Sequence, residues 1–264
     1  ANYRLDNSSA IISLIAYGNK LADNGNKTMS NEVVDVLLKN CKADDQLHFR
    51  SAAVHLLRAN NGTLANKTLL KESLHKNKNY SAAVIDAAAQ NLSSEEATKW
   101  VKNYKKASTS VKPLILNMMA SREEAVVYNK AILPAVSHKD QGVRIAGIKA
   151  LAHQDKSKVL PVLLTALNKA KSSEEFIVIE ETLSKVAAGK DASILAKSLS
   201  GANGKAREVL VNVLAARDAS AQFGTITGLL NSADSDLKAT IYKALPSISG
   251  KENLSELLVL LEKS

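Results

Sequence analysis

A segment that combines lysines with two aromatic residues is the strongest candidate for chemistry in this sequence of 264 residues. Trp100 and Tyr104 are four residues apart, so a helix would place both on one face. Ammonium groups neutralise phosphates, and an exposed aromatic ring can stack on a nucleobase. The same groups can anchor a protein partner. The predicted binding surface consists of Lys99, Trp100, Lys102, Tyr104, Lys105 and Lys106.

The same spacing also has a purely structural interpretation. A solvated lysine face, with the tryptophan packed into its own layer, gives the same pattern. The net charge of +9 comes mostly from lysine, which is strongly hydrated and reads bases and phosphates less well than arginine. The charge therefore permits nucleic-acid binding without requiring it.

The other reactive side chains form no catalytic or metal-binding motif. The five histidines lack the spacing of a metal-binding motif such as HExxH, and the single cysteine offers no CxxC pair. Cys41 lies at a predicted helix C-terminus, where the helix dipole raises rather than lowers a thiol pKa. Most acidic pairs, such as Glu95-Glu96, stand at predicted helix starts, where the dipole accounts for them. We therefore predict no enzymatic activity, no metal and no cofactor for this segment.

Composition limits the class of protein. Glycine (11) and proline (4) are scarce, and alanine, leucine, lysine and glutamate are abundant, which favours helices over sheets. One cysteine excludes a disulfide-stapled scaffold. No apolar run approaches the roughly 18 residues that a membrane-spanning helix needs, so we predict no membrane insertion.

Two alternating types of helical segment, which we call A and B, must position the lysines and aromatic residues of the predicted binding surface. Val143, Glu175, Ala206 and Leu237 occupy equivalent positions at steps of 32, 31 and 31 residues, which indicates an internal repeat. The A segments are residues 30–39, 64–76, 94–106, 122–137, 157–170, 191–200, 219–231 and 253–263. The B segments are residues 8–22, 46–58, 81–92, 110–119, 138–152, 173–187, 204–216 and 235–247. Ser93 to Glu96 and Ser172 to Glu175 carry helix-start signals.

These segments resemble the HEAT-repeat family of armadillo-like α-solenoids. The best matches are LPAVSHKDQGVRIAGIKALA (133–152) and LLNSADSDLKATIYKAL (229–245). Pro134 and Pro161 match the kinking position of the first HEAT helix, whereas the family's Val-Arg pair occurs only at 143–144. The resemblance implies an all-α fold: a right-handed α-α superhelix, or solenoid, of about eight HEAT-like helix pairs. It implies a scaffolding or binding role and no particular reaction.

The same frame predicts a single HEAT-like domain over residues 1–264 that ends in half repeats. The chain opens with a B segment and closes with an A segment whose residues 257–261 are all apolar. Natural solenoids end in polar caps, so we expect a module of a longer polypeptide. An atypical terminal cap is the alternative.

The predicted function is a non-enzymatic scaffold that binds another protein or a neighbouring domain of its own chain. In bacterial HEAT-like arrays that neighbour is often an enzyme. The alternative is a basic solenoid that binds nucleic acid, such as a HEAT-like DNA glycosylase, and a HEAT-like chromophore lyase is a third class. The sequence does not begin with Met, which favours a processed, exported bacterial protein (periplasmic or secreted) and leaves the compartment open.

Overall fold

The chain is all-α. The computed structural model describes residues 9–262, of which 79% are helical and none forms a strand. The chain divides into two compact units, residues 1–150 and residues 151–264. No helix among the described residues is both long and apolar enough to cross a bilayer.

Helices α1 to α10 belong to the first unit, apart from the last residue of α10. They are Ser9–Asp23 (α1), Lys27–Asn40 (α2), Leu47–Asn61 (α3), Asn66–Glu72 (α4), Lys78–Ala89 (α5), Ser94–Lys106 (α6), Lys112–Met119 (α7), Ala125–Val127 (α8), Leu133–Ala135 (α9) and Gln141–Leu151 (α10). Seven helices follow in the second unit. They are Lys156–Lys169 (α11), Ser173–Val186 (α12), Ala192–Ser198 (α13), Gly204–Ala215 (α14), Phe223–Thr227 (α15), Ser235–Ile248 (α16) and Leu254–Glu262 (α17).

Each predicted A or B segment overlaps a helical stretch, but several segment ends, such as residues 122–124 and 138–140, are not helical. Residues 8 and 263 lie outside the described range. Two predicted helix starts are confirmed in detail. The backbone N–H of Glu96 donates to Ser93 Oγ at 3.3 Å, and Glu96 Oε2 accepts from the N–H of Ser93 at 2.9 Å. Ser172 and Glu175 make the same reciprocal pair at 3.2 Å in both directions. Each box satisfies N–H groups that a helix start otherwise leaves unpaired.

The predicted helix over residues 122–137 is interrupted. A wider turn with π-type hydrogen bonding, Tyr128–Ile132, joins α8 to α9. Pro134 follows at the start of α9. Proline lacks an N–H and its ring clashes with the carbonyl four residues earlier, so a regular α-helix cannot run through it without distortion.

Helices of the two types pack in a regular way within each unit. In the first unit the B-type helices contact one another in succession, α1 with α3, α3 with α5, and α5 with α7. The A-type helices do likewise, α4 with α6 and α6 with α8. In the second unit α12, α14 and α16 form a similar series. Neighbours along the chain also pair, such as α2 with α3, α13 with α14, and α15 with α16.

Apolar residues at helical spacing form the core of each unit. In α2 the buried residues include Val33, Val34 and Leu37, which pack near Ile11 and Phe49. In the second unit α12 and α14 each bury a stripe at the same spacing. These stripes are Val178, Ile179, Leu183 and Val186 on α12, and Val209, Leu210, Val213 and Leu214 on α14.

Gly147 marks the closest approach between α10 and the end of α9. A Cβ at this position would lie 2.8 Å from Ala135 Cβ and 2.9 Å from the backbone N of Val136. We expect Gly147→Ala to lower the free energy of unfolding by about 1–3 kcal/mol, because backbone rather than a flexible side chain would have to move. Gly224→Ala in α15 is the control, since nothing lies within 4 Å of its added Cβ. Urea denaturation measures both. Equal stability of the two variants would contradict the close approach.

Candidate binding surface

Helix α6 places the six predicted residues on two opposite faces. Trp100 is fully buried and Tyr104 is 5% exposed. The four lysines, Lys99, Lys102, Lys105 and Lys106, are exposed. The prediction that the two aromatic rings belong to an exposed surface is therefore wrong. The four lysines remain candidates for binding.

The physical reason is the direction in which the aromatic face of α6 points. Trp100 Nε1 donates to Asn66 Oδ1 of α4 at 2.9 Å. Asn103 Nδ2 donates to Ser73 Oγ at 2.6 Å and to the carbonyl oxygen of Leu70 at 3.0 Å. A buried indole needs a partner for its N–H, and the neighbouring helix supplies it. The four-residue spacing correctly indicated a shared face, but that face is turned toward α4.

Tyr104 interacts with a cation that is itself inside the structure. Lys112 Nζ lies 5.4 Å from the centre of the Tyr104 ring. The same ammonium group donates to the carbonyl oxygen of Ala107 at 2.6 Å, at the end of α6. Burial raises the pKa of Tyr104 and lowers the pKa of Lys112. This cation–π pair therefore stabilises the end of α6 and does not present a ring to a ligand.

Helix α4 carries exposed lysines as well. Asn66 meets Trp100 and Ser73 meets Asn103, so the two helices run parallel, side by side. Each helix exposes lysines on a side that does not face the other helix. We call these exposed lysines together the lysine face. Its members are Lys67, Lys71, Lys99, Lys102, Lys105 and Lys106, all exposed.

Two leucines at the ends of α4 add apolar area beside the lysines. Leu64, in the turn before α4, is 83% exposed, and Leu74, just after it, is 40% exposed. One carboxylate, Glu95, shares this part of α6 and pairs with Lys99 at 2.6 Å. The sequence does not reveal that these leucines are exposed, because a leucine next to an amphipathic helix gives the same pattern whether it packs inward or faces solvent.

The described arginines are all engaged inside the protein, and none of them is exposed. Arg58 pairs with Glu96, Arg122 with Glu124, and Arg50 with Glu72. The other three bind backbone carbonyl oxygens. These pairs are Arg144 with His138 and Lys139, Arg207 with Leu199, and Arg217 with Ser184. Cations near helix C-termini satisfy carbonyls that lack an intrahelical partner. The exposed positive charge of the described chain is therefore lysine.

Most of the net charge belongs to the unit that contains the lysine face. Residues 1–150 include 21 basic and 13 acidic side chains, whereas residues 151–264 include 14 and 13. An excess of this size attracts acidic partners and speeds the encounter with them.

The remaining reactive groups are the single cysteine and the side chains that could bind a metal ion. Cys41 is fully buried at the end of α2. Burial raises the pKa of its thiol, and Arg50 offsets that rise only in part. Within residues 9–262, no three His, Cys, Asp or Glu side chains lie close enough to share a metal ion.

The ion pair of Arg122 and Glu124 connects the start of α8 to the start of α6. Arg122 Nη1 donates to the carbonyl oxygen of Leu92 at 3.1 Å, and Nη2 donates to Ser94 Oγ at 3.1 Å. The hydrogen bonds from Arg122 lower the pKa of Glu124 to about 2. A depressed pKa means that the folded state favours the ionised carboxylate, so this stabilisation is complete near pH 5 and is lost as pH falls through 2.

We expect acid to destabilise the first unit through this pair. Between pH 5 and pH 2 the pair should contribute a loss of about 1 kcal/mol, since water partly screens it. Thermal unfolding of the parent and of Glu124→Gln across this range measures the effect. The Gln variant should show a flatter pH profile, and parallel profiles would contradict the assignment.

Comparison with known proteins does not identify a family. No family model matches the sequence, and no curated protein matches it. Among solved structures the chain is similar to an engineered protein whose crystal structure was determined by the Northeast Structural Genomics Consortium. The identity is 15%, the match covers 81% of this chain and 96% of that chain, and the TM-score is 0.36. A similarity at this level carries no argument about function.

Proposed function

We propose that this chain is a non-enzymatic, HEAT-like helical-repeat scaffold that binds an acidic protein, or an acidic neighbouring domain, through the lysine face. The observation that carries the proposal is the composition of that face. It combines six lysines with Leu64 and Leu74, while the arginines, Trp100 and Tyr104 are all used internally.

Polar contacts at repeat-length separations support the repeat architecture. Asn103 binds Ser73 across 30 residues, and Trp100 binds Asn66 across 34. In the second unit, Asn212 Nδ2 donates to Glu180 Oε1 across 32 residues. These separations are close to the sequence step of 31 or 32 residues. A repeat protein makes its long-range contacts between adjacent repeats, so such a separation is expected.

Two turns of the same design give further support. In the first, His75 Nδ1 accepts from the N–H of Asn77 at 3.1 Å, and Asn77 Oδ1 accepts from the N–H of Tyr80 at 3.1 Å. In the second, His138 Nδ1 accepts from the N–H of Asp140 at 3.0 Å, and Asp140 Oδ1 accepts from the N–H of Val143 at 3.1 Å. The two histidines are 63 residues apart, which is two repeat steps. Each turn leads from an A segment into a B-type helix and caps its start.

Protein binding fits the lysine face better than nucleic-acid binding does. Base recognition relies on arginine forks, and binding of single strands relies on stacking with exposed aromatic rings. The face offers neither group. It offers mobile ammonium groups for carboxylates and two leucines for apolar side chains, the mixture expected of a protein-binding surface.

Charge reversal on α6 tests the proposal. The triple variant Lys102→Glu, Lys105→Glu, Lys106→Glu should bind a fluorescent peptide of alternating glutamate and leucine at least about tenfold more weakly, because attraction becomes repulsion. The matched control reverses three exposed lysines of the second unit, Lys169, Lys185 and Lys197, and should bind as the parent does. Loss of binding in both variants would show a net-charge effect and contradict a localised site.

Phosphate binding is the second candidate, supported by the excess of basic residues in the first unit. Fluorescence anisotropy with single- and double-stranded DNA and with RNA, at about 50 mM salt, distinguishes the two candidates. A phosphate binder should lose affinity steeply as salt increases. No binding at low salt would eliminate this candidate.

A further inference from the structure

One side of α4 and of the turns next to it forms a continuous exposed stripe. The turn Gly62–Ala65 runs directly into α4, and helical hydrogen bonding continues past α4, where the N–H of Leu74 donates to the carbonyl oxygen of Lys71 at 3.3 Å. Positions i, i+3, i+7 and i+10 of such a segment share one side. These positions are Leu64, Lys67, Lys71 and Leu74, all exposed. We call these four residues the α4 stripe.

The opposite side of the same segment is packed into the first unit. Ala65, Leu69 and Ser73 are buried, and Ser73 Oγ accepts from Asn103 of α6. This packing fixes the orientation of the segment, so the four side chains of the α4 stripe face solvent together.

The charge around the α4 stripe has one sign. The exposed charged side chains of residues 62–78 are all lysines, namely Lys67, Lys71, Lys76 and Lys78. The one carboxylate of this segment, on Glu72, is buried and pairs with Arg50 at 2.6 Å. On the neighbouring α6, the carboxylate of Glu95 pairs with Lys99. The α4 stripe therefore attracts a ligand that carries negative charge.

The order of side chains along the stripe favours one class of negatively charged ligand. The two leucines are about 15 Å apart along the axis, with both lysines between them. Leucines contribute nothing to the binding of a phosphate backbone, which depends on cations and hydrogen-bond donors. A helix that lies on a membrane presents a continuous apolar face, which the central lysines interrupt here. A protein segment with carboxylates between two apolar residues matches all four positions.

We propose that the α4 stripe binds an acidic amphipathic helix of a partner protein. Two apolar residues of that helix, ten positions apart, contact Leu64 and Leu74, and two carboxylates between them pair with Lys67 and Lys71. Intervals of three, four and three residues are the spacing at which two helices pack side by side. The intervals are the same in both directions, so a partner helix of either polarity fits. This inference rests on the proposed function and specifies the partner of the lysine face.

Two helical peptides of identical composition test this pairing. Both consist of alanine and glutamine except at four positions of one face, numbered 1, 4, 8 and 11. The matched peptide has leucine at 1 and 11 and glutamate at 4 and 8, whereas the exchanged peptide has glutamate at 1 and 11 and leucine at 4 and 8. Net charge and composition are equal, so the two peptides differ only in the order of side chains. NMR titration of the intact chain should show at least about tenfold tighter binding of the matched peptide.

Substitutions in the protein locate the contact. Leu64→Ser and Leu74→Ser should each weaken binding of the matched peptide by at least about fivefold and leave binding of the exchanged peptide unchanged. Ile177→Ser is the matched control, because Ile177 is also an exposed apolar residue but belongs to α12 of the second unit. It should bind both peptides as the parent does. Circular dichroism confirms that each variant is folded.

Equal affinity for the two peptides would overturn the inference, and so would a loss of binding in Ile177→Ser as large as that in Leu64→Ser. Leu64-dependent binding to DNA, or to vesicles of phosphatidylcholine and phosphatidylserine, without binding of either peptide would overturn it as well. If the α6 charge-reversal variant loses the alternating peptide while the two helical peptides bind equally, only this inference is wrong. If the matched peptide is preferred but the α6 variant binds the alternating peptide normally, the role of α6 in the proposed function is wrong and the α4 stripe stands.

Discussion

Replacement of Glu96 by alanine should lower the free energy of unfolding by about 3–5 kcal/mol, because it leaves a buried guanidinium group without its counter-ion. Arg58 Nη1 lies 2.5 Å from Glu96 Oε1, and the two side chains are 3% and 4% exposed. Burial raises the pKa of Glu96, but the hydrogen bonds and charge of Arg58 and the hydrogen bonds with Ser93 together outweigh burial, so the pKa lies below its ordinary value. The folded state therefore favours the ionised carboxylate.

Arg58 also holds several backbone segments together. It donates to the carbonyl oxygens of Gly62, Gln90 and Asn91, at 2.9, 2.8 and 2.9 Å. These residues follow α3 and α5, whereas Glu96 belongs to the first turn of α6. Loss of the carboxylate should thus loosen the packing of α3, α5 and α6 together.

Urea denaturation of three variants tests this prediction. Glu96→Gln should lose less than Glu96→Ala, because an amide at this position still accepts from the N–H of Ser93 and keeps the capping box. Glu95→Ala is the control on the same helix. It removes an exposed ion pair with Lys99 and should change stability by less than about 0.5 kcal/mol. A Glu96→Ala variant as stable as Glu95→Ala would show that the buried pair contributes nothing.

Truncation of Trp100 should have an effect of similar size. Trp100→Ala removes a completely buried side chain and should cost about 3–5 kcal/mol through lost burial and the cavity that remains. It also deprives Asn66 Oδ1 of its donor at 2.9 Å. Trp100→Phe should fall between the parent and Trp100→Ala, since it keeps most of the volume but loses the hydrogen bond.

Lys102→Ala provides the comparison for this second prediction. Lys102 is exposed on the same helix, so its replacement should change stability by less than about 0.5 kcal/mol. Thermal and urea denaturation should rank the variants in that order. A Trp100→Ala variant with full stability but weakened peptide binding would restore the exposed-ring interpretation and contradict the burial.

Local features of this fold follow from the sequence. Ser93 and Glu96 predict the start of α6, because a capping box depends only on two residues that are three positions apart in the sequence. Helical periodicity predicts the sixteen A and B segments, because it too depends only on residues that are close together in the sequence. The burial of Trp100 is one of the two interpretations that the sequence allows, since 3.6 residues per turn put Lys99, Lys102 and Lys106 opposite Trp100 and Tyr104. The spacing alone does not decide whether the folded chain buries the aromatic face.

Long-range features could not be predicted in this way. Arg58 meets a carboxylate 38 residues away, and nothing near Arg58 in the sequence distinguishes it from a solvated arginine. The exposure of Leu64 and Leu74 has the same origin, because it depends on where the neighbouring helices leave α4 uncovered. Pairing and exposure of this kind are properties of the packed structure rather than of a local pattern.

The division between internal arginines and external lysines makes the surface charge of this molecule chemically adjustable. Acetylation, or any other acylation of amines, would neutralise the exposed ammonium groups. The guanidinium groups bound to Glu72, Glu96 and Glu124 do not react with such reagents. The charge that meets a partner can therefore be tuned over a wide range by modification, while the ion pairs that keep the helices in place remain as they are.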